Sequence, residues 1–234
     1  MTMISANLQQ VQSRIDAVCA SAGRARGSVH LLAVSKTFGA EAVRDAFEAG
    51  QDAFGENYVQ EGVDKIAALA DLRNRIEWHM IGPLQSNKTR VVAEHFDWVH
   101  SVDRLKIAQR LSEQRPADLP PLQVCLQVNI SGEATKSGLM PADVAEAARA
   151  VRALPRLVLR GLMAIPEPAA TLEAQRAPHR ALHALMQSLA EAGSPLDTLS
   201  IGMSADLEAA VLEGATMVRV GSAIFGGRAP RMSP

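Results

Sequence analysis

Short apolar segments alternate with amphipathic segments along nearly the whole chain of 234 residues. Each apolar segment is only a few residues long and nearly free of charge, as is typical of a strand buried on both faces. Strands that alternate with helices run parallel and are joined by right-handed crossovers, so this order indicates a parallel sheet. The eight predicted strands are residues 29–35, 53–55, 77–81, 98–101, 122–129, 157–163, 198–201 and 217–220.

The amphipathic segments have apolar residues at helical spacing. They predict helices over residues 1–22, 41–48, 59–72, 87–95, 103–114, 141–153, 172–192 and 205–212. The first of these lacks the basic start and apolar run of a signal peptide. No segment approaches the ~18–20 apolar residues that are needed to cross a bilayer. We therefore expect a cytoplasmic protein.

Eight strand–helix units close naturally into a (β/α)8 TIM barrel, and an open doubly wound sheet is the alternative. An open sheet of that kind normally has a GxGxxG phosphate turn after its first strand, whereas this chain has Ser35-Lys36-Thr37-Phe38-Gly39 there. The barrel is therefore favoured. Because no linker or break in composition is present, we expect a single α/β domain over residues 1–234. It has an extra N-terminal helix and loop over residues 1–27 and a frayed tail over residues 229–234.

The overall composition argues against a strongly charged partner such as nucleic acid or an anionic membrane. The net charge is −1, and aromatic residues make up only 3% of the chain. Neither value is typical of a protein that binds nucleic acid or an anionic membrane surface. The two cysteines, Cys19 and Cys125, are far apart and lack the spacing of metal ligands. We expect both to be buried, reduced thiols and expect no metal site.

Lys36 is the first candidate for chemistry, since the working face of such a barrel lies at the C-terminal ends of its strands. Only this one of the five lysines directly ends an apolar strand. Apolar surroundings disfavour the charged form of a lysine and free its amine to attack carbonyl groups. Alternatively, Lys36 extends from the strand end into water.

The loops after the seventh and eighth strands are candidates for a phosphate site. Barrels often bind phosphate there through backbone amides and small residues. Ser204, expected as the N-cap of the next helix, follows the seventh strand, and Gly221 and Ser222 follow the eighth. Their hydroxyl groups add hydrogen-bond donors. The alternative is that Ser204 is only a helix cap and Gly221 only a turn residue.

A lysine amine and a nearby phosphate site together indicate pyridoxal 5′-phosphate (PLP). Arg219 precedes the second loop by two residues, so it can point into the barrel and face the pyridine nitrogen. Since an arginine retains its proton, it would donate to an unprotonated ring nitrogen and make the ring a poorer electron sink. The alternative for Arg219 is a structural ion pair.

Several segments, taken together, resemble a known family. They are Val34-Ser-Lys-Thr37, Phe54-Gly-Glu-Asn57, Trp78-His-Met-Ile-Gly-Pro-Leu-Gln-Ser-Asn-Lys88, Val128-Asn-Ile130 with Lys136-Ser-Gly138, Gly161-Leu-Met163, Leu199-Ser-Ile-Gly-Met-Ser204 and Arg219-Val-Gly-Ser-Ala-Ile-Phe-Gly226. The set resembles the pyridoxal phosphate homeostasis protein family (YggS/PROSC-like), whose barrel is related to the N-terminal domain of alanine racemase. The resemblance implies a Schiff base between PLP and Lys36, phosphate contacts at Ser204, Gly221 and Ser222, Arg219 at the ring nitrogen, and Asn57 and His79 along the cofactor.

The resemblance also implies a carrier rather than an enzyme. Racemisation by the related enzymes needs a tyrosine from a partner subunit and a C-terminal β-domain, whereas this chain has one tyrosine, Tyr58, and ends soon after its eighth strand. The implied role is vitamin B6 homeostasis, in which a monomer binds PLP and passes it to apo-enzymes. The alternatives are a small PLP-dependent amino-acid racemase or lyase that uses Tyr58, and a phosphate-sugar isomerase on the same fold.

Lys136 lies in the loop after the fifth strand, and its amine could accept the PLP aldehyde during release. The alternative is a solvated loop lysine.

Overall fold

The computed structural model describes residues 2–133, 136–193 and 196–227, and within them eight parallel strands form a closed barrel in the order β1 to β8. Strand β8 returns to β1 with His30 opposite Met217 and Ala33 opposite Val220, so the sheet has no free edge. The predicted barrel is confirmed. The strands are β1 (His30–Val34), β2 (Ala53–Glu56), β3 (Glu77–Met80), β4 (Trp98–Val102), β5 (Leu122–Gln127), β6 (Leu157–Met163), β7 (Thr198–Ser200) and β8 (Met217–Val220).

A helix follows each strand on the outside of the barrel, and one more precedes the first strand. The helices are α1 (Met3–Ser21), α2 (Ala40–Glu48), α3 (Val59–Ala68), α4 (Thr89–His95), α5 (Leu105–Gln114), α6 (Val144–Arg152), α7 (Leu172–Glu191), α8 (Leu207–Leu212) and α9 (Ser222–Phe225). Short 3-10 turns cover Ala70–Leu72, Ser86–Lys88 and Pro141–Asp143, at the end or start of segments predicted as continuous helix. Helix α9 was not predicted. The predicted tail, residues 229–234, lies outside the described residues.

Because side chains alternate between the two faces of each strand, the apolar residues form two layers, one inside the barrel and one between the sheet and the helices. On β1, Leu31 and Ala33 belong to the large core between sheet and helices, whereas Leu32 and Val34 pack inside the barrel with Ile81 and Met217. A second interior group consists of Trp98, Cys125 and Met163. The interior is therefore filled by side chains, as in other barrels of this size. Both cysteines are buried and free, as predicted.

Helix α1 covers the barrel wall beside the last units of the chain. It buries Leu8, Val11, Ile15 and Cys19 along one face, at the helical spacing of the sequence. Each of the three aliphatic side chains contributes on the order of 1.5–3 kcal/mol when fully buried. The helix is thus part of the domain core. Within the residues described, the structure contains no helix long and apolar enough to span a membrane.

Candidate functional site

A cavity of about 340 Å³ opens at the C-terminal ends of the strands, which is the working face of this fold. It lies between the end of β1 and the loops that follow β7 and β8. Six of the seven predicted cofactor residues are on its wall: Lys36, Asn57, Ser204, Arg219, Gly221 and Ser222. The rest of the wall is formed by Val34, Thr37, Phe38, Ile81, Ile165, Met203, Ala205 and Gly226. The structure therefore brings together predicted residues as far apart in the chain as Lys36 and Ser222.

Lys36 reaches this cavity because of the alternation of β1. Val34 and Lys36 both line the cavity, whereas Ser35, between them, faces the layer of helices. The side chain of Lys36 is half-buried beside the apolar residues Val34 and Ile81. A lysine amine in such surroundings is suited to react with a carbonyl group.

The loop after β7 is held in place by Asp206. Its carboxylate accepts a hydrogen bond from the Met203 backbone N–H at 2.7 Å, and it lies 2.9 Å from Nε2 of His179. Burial raises the pKa of Asp206, but these two contacts outweigh burial and keep the pKa below its ordinary value. The N-cap of α8 is Asp206, so the predicted cap at Ser204 is wrong. The turn continues two residues farther than expected, which leaves Ser204 on the cavity wall.

The loop after β8 lies close against β1. A Cβ at Gly221 would be 3.0 Å from the carbonyl oxygen of Val34, so only glycine fits without a shift of the chain. Gly202, in the opposite loop, has φ +91°, a conformation that favours glycine. The glycines thus allow two backbone segments to approach each other around one cavity, which is the property that phosphate loops need.

Helix α1 supports both loops from outside. The guanidinium of Arg14 bonds to Glu208 on α8 and donates to the carbonyl oxygen of Ser204 at 3.1 Å. Asn7 donates to the carbonyl oxygen of Ile224 on α9 at 2.9 Å. The extra N-terminal helix therefore fixes the two loops on which the candidate phosphate residues lie.

Arg219 occupies the bottom of the cavity and is 4% exposed. Its guanidinium donates to the carbonyl oxygen of Ser200 at 2.5 Å, to the Ser200 hydroxyl at 2.7 Å and to the carbonyl oxygen of Ala164 at 2.9 Å. Burial lowers the pKa of Arg219 to about 10. The group therefore stays charged at neutral pH, and no carboxylate is bonded to it among the described residues, which argues against a structural ion pair.

His79 is fully buried and does not belong to the cavity wall. Its Nδ1 is 2.9 Å from Nε2 of His100, and Nδ1 of His100 is 2.8 Å from the Ser200 hydroxyl that accepts from Arg219. Burial, with the nearby charges of His79 and Arg219, lowers the pKa of His100 well below its ordinary value. A chain of hydrogen bonds thus connects His79 to Arg219 through a neutral imidazole and a hydroxyl.

Two other candidate residues lie away from this cavity. Tyr58 follows Asn57 but is 54% exposed and does not line the cavity. Lys136 pairs with Glu133, with Nζ 2.8 Å from the carboxylate, and lies 3.8 Å from Glu167. Neither side chain contributes to the cavity wall.

A larger cavity of about 700 Å³ opens at the opposite, N-terminal end of the barrel. Its four arginines already have partners: Arg73 pairs with Asp97, Arg160 pairs with Asp197, Arg115 donates to backbone carbonyl groups, and Arg75 lies over the ring of Phe47. Because these cations already have partners and no lysine is among the described residues that line this cavity, the smaller cavity is the better candidate site.

The sequence missed the buried polar residues behind the cavity. His100 lies within β4, Ser200 is the last residue of β7, and Asp206 was expected inside a helix. A polar residue in an apolar strand was the available signal, because such a residue needs a buried partner. The identity of that partner depends on contacts across the barrel.

Comparison with known proteins finds a matching family model and similar curated proteins. The family model described as "Alanine racemase, N-terminal domain" matches residues 6–229. A curated relative from Pseudomonas aeruginosa, named "Pyridoxal phosphate homeostasis protein", is 60% identical over 228 residues, which is 97% of each chain.

Solved structures of other proteins are also similar to this chain. PipY of Synechococcus elongatus, solved with PLP bound, has a TM-score of 0.82 and 38% identity over 95% of this chain and 100% of that one. The alanine racemase of Corynebacterium glutamicum has a TM-score of 0.65 at 19% identity over 99% of this chain and 62% of that one, a likeness of fold.

Proposed function

This chain belongs to the pyridoxal phosphate homeostasis protein family, which has the alanine racemase N-terminal fold, and we propose that it binds PLP for intracellular vitamin B6 homeostasis. In this proposal the amine of Lys36 holds the PLP aldehyde as a Schiff base. The loops that contain Ser204, Gly221 and Ser222 bind the phosphate. The PLP-bound structure of the relative PipY, similar over nearly the whole chain, supports the choice of ligand.

One observation carries the proposal: a lysine at a strand end, a buried arginine and two glycine-containing loops surround a single cavity. The volume of about 340 Å³ is within the range of ~300–1,000 Å³ that is typical of small-molecule sites. Apolar side chains such as Val34, Ile81 and Ile165 supply surfaces for an aromatic ring. The amine of Lys36, the two loops and the guanidinium of Arg219 match the aldehyde, the phosphate and the ring nitrogen of PLP.

Arg219 supports binding without turnover. When bound, PLP supplies an electron sink for reactions at the α-carbon of amino acids. The charged Arg219 guanidinium is held by Ser200 and Ala164. Because an arginine keeps its proton, it would form a hydrogen bond to the ring nitrogen without protonating it. This arrangement weakens the sink. His79 would act indirectly in this account, through the hydrogen bonds that end at Arg219.

The rival function, a small racemase or lyase, needs a base that reaches the α-carbon. Tyr58, the residue considered for that task, lies outside the cavity wall. We therefore favour a carrier. A phosphate-sugar isomerase would need no aldehyde-reactive amine at Lys36.

We also propose that the protein passes PLP to apo-enzymes, is a monomer and lies in the cytoplasm. A role for Lys136 in release is also a prediction. Equal rates of PLP transfer to an apo-enzyme from wild type and Lys136→Ala would refute that role.

A spectroscopic titration tests the proposed function. PLP added to the apo-protein should produce a new visible absorption band in wild type and in Lys106→Ala, a control at an exposed lysine of α5. Lys36→Ala should not produce the band. Incubation with L-alanine in deuterated water should leave the α-proton in place. Rapid exchange would support the racemase, and absence of PLP binding would overturn the proposal.

A further inference from the structure

Ser35 and Thr37, the two neighbours of Lys36, form hydrogen bonds to a group of charged side chains on the outer side of the sheet. This group consists of Glu56, Glu61 and Lys65. We propose that Lys65, in helix α3, is a positioning residue that fixes the turn from which Lys36 presents its amine. This inference rests on the proposed function, because it concerns the same amine. Lys65 does not line the cavity.

Lys65 is 5% exposed, and its ammonium group has three N–H donors. The described residues provide three acceptors: the carbonyl oxygen of Ser35 at 2.7 Å, Oε1 of Glu56 at 2.7 Å and Oε1 of Glu61 at 2.8 Å. The Ser35 hydroxyl also donates to Oε1 of Glu56, at 2.6 Å. The residue before Lys36 is thus held through both its carbonyl group and its side chain.

The residue after Lys36 is held by the same group. Thr37 has φ +71°, a left-handed conformation that a β-branched residue rarely adopts. Such a conformation costs on the order of 1–3 kcal/mol and persists only where surrounding contacts enforce it. The contact here is the Thr37 N–H, which donates to Oε1 of Glu61 at 2.5 Å. That oxygen is the one bonded to Lys65.

Close packing of α3 makes this arrangement possible. A Cβ at Gly62 would be 2.6 Å from the ring of Phe96 and 3.3 Å from Cβ of Glu56, so the helix lies unusually near the sheet. Lys65 and Glu61, on the same helix, thereby reach the end of β1.

Stability alone does not explain this group of charges. Burying an ammonium and a carboxylate costs several kcal/mol per ion, and apolar residues of similar size are often at least as stable. Moreover, Oε2 of the fully buried Glu56 has no hydrogen-bond partner among the described residues. What the group does achieve is a strained turn fixed on both sides of Lys36. A fixed amine reacts faster with a bound aldehyde, because a misplacement of about 1 Å can cost a factor of about 100.

The test uses the double variant Lys65→Met/Glu56→Gln, which removes the buried cation without leaving a buried carboxylate and retains an acceptor for the Ser35 hydroxyl. Lys106→Met is the matched control, the same change at an exposed lysine. Two ligands are titrated at a temperature at which every variant is folded. PLP can bond to Lys36, whereas pyridoxamine 5′-phosphate has the same phosphate and ring nitrogen but no aldehyde.

We expect the double variant to bind PLP at least about tenfold more weakly and to form the borohydride-trapped Lys36 product more slowly. Its affinity for pyridoxamine 5′-phosphate should stay within about twofold of wild type. Addition of Thr37→Gly should recover part of the loss, since glycine adopts positive φ without strain. Unchanged PLP binding, or an equal loss for both ligands, would overturn the positioning role. Failure of wild type itself to bond PLP at Lys36 would instead overturn the proposed function.

Discussion

Gly82 offers a sharp test of the site geometry, because it lies against the backbone of a cavity residue. A Cβ at this position would be 2.1 Å from the carbonyl oxygen of Asn57 and 2.7 Å from its Cα. Since Cβ contacts shorter than about 3.0 Å essentially do not occur, Gly82→Ala must push the two segments about 1 Å apart. Gly82 does not have positive φ, so the substitution acts only through this contact.

The overpacking should cost about 1–3 kcal/mol of unfolding free energy. For a chain of this length that corresponds to a fall in Tm of about 2–12 °C. Movement of Asn57 should also weaken PLP binding about tenfold to a hundredfold. Gly227→Ala is the control, since a Cβ there meets no atom of the described residues within 4 Å. Thermal unfolding and a PLP titration measure both effects, and wild-type values for Gly82→Ala would refute the account of this contact.

Three further predictions concern the barrel itself. Gly161→Ala should prevent folding or lower Tm far more than Gly82→Ala, because its Cβ would be 1.6 Å from the carbonyl oxygen of Thr198 on the paired strand; a native-like melting curve would contradict this register. Cys125, whose burial raises the pKa of its thiol to about 12, should resist iodoacetamide in the native protein at neutral pH and react after denaturation, as followed by mass spectrometry. His79, with Nε2 3.8 Å away, and the indole N–H of Trp98 lower the pKa of Glu77 to about 2 against the opposing effect of burial. The charged form is therefore favoured in the folded state, so this stabilisation is complete above pH 4.5 and lost as the pH falls toward 2. Glu77→Gln should lack that part of the dependence of Tm on pH, and a dependence identical to wild type would show that Glu77 does not contribute.

The fold could be predicted because its determinants are local. Each strand is a short apolar run and each helix has its own periodicity, so the order of elements alone implies a parallel barrel. The boundaries were less certain where side chains decide them. Helix α8 begins at Leu207, because the carboxylate of Asp206 bonds to the Met203 N–H and to His179, a residue of α7. That partner is 27 residues away in the sequence.

The candidate site was predictable in part for the same reason. Strand ends could be recognised from the sequence, so Lys36 and Arg219 could be assigned to one face of the barrel. The support behind them could not. Lys65 resembles an ordinary surface lysine of an amphipathic helix, and its burial depends on how closely Gly62 lets that helix approach the sheet. The hydrogen bonds that connect His79 to Arg219 through His100 and Ser200 depend on the register of four strands, β3, β4, β7 and β8. A position of His79 along the cofactor stays a prediction.

The central claim is that the amine of Lys36 bonds covalently to the aldehyde of PLP. It is tested most directly by reducing the PLP-loaded protein with borohydride, digesting it and locating the added mass by peptide mass spectrometry. We predict one dominant modified peptide, with the mass on Lys36, and none on Lys136. A modified residue other than Lys36, or a protein that binds PLP and yields no reduced product, would contradict the account.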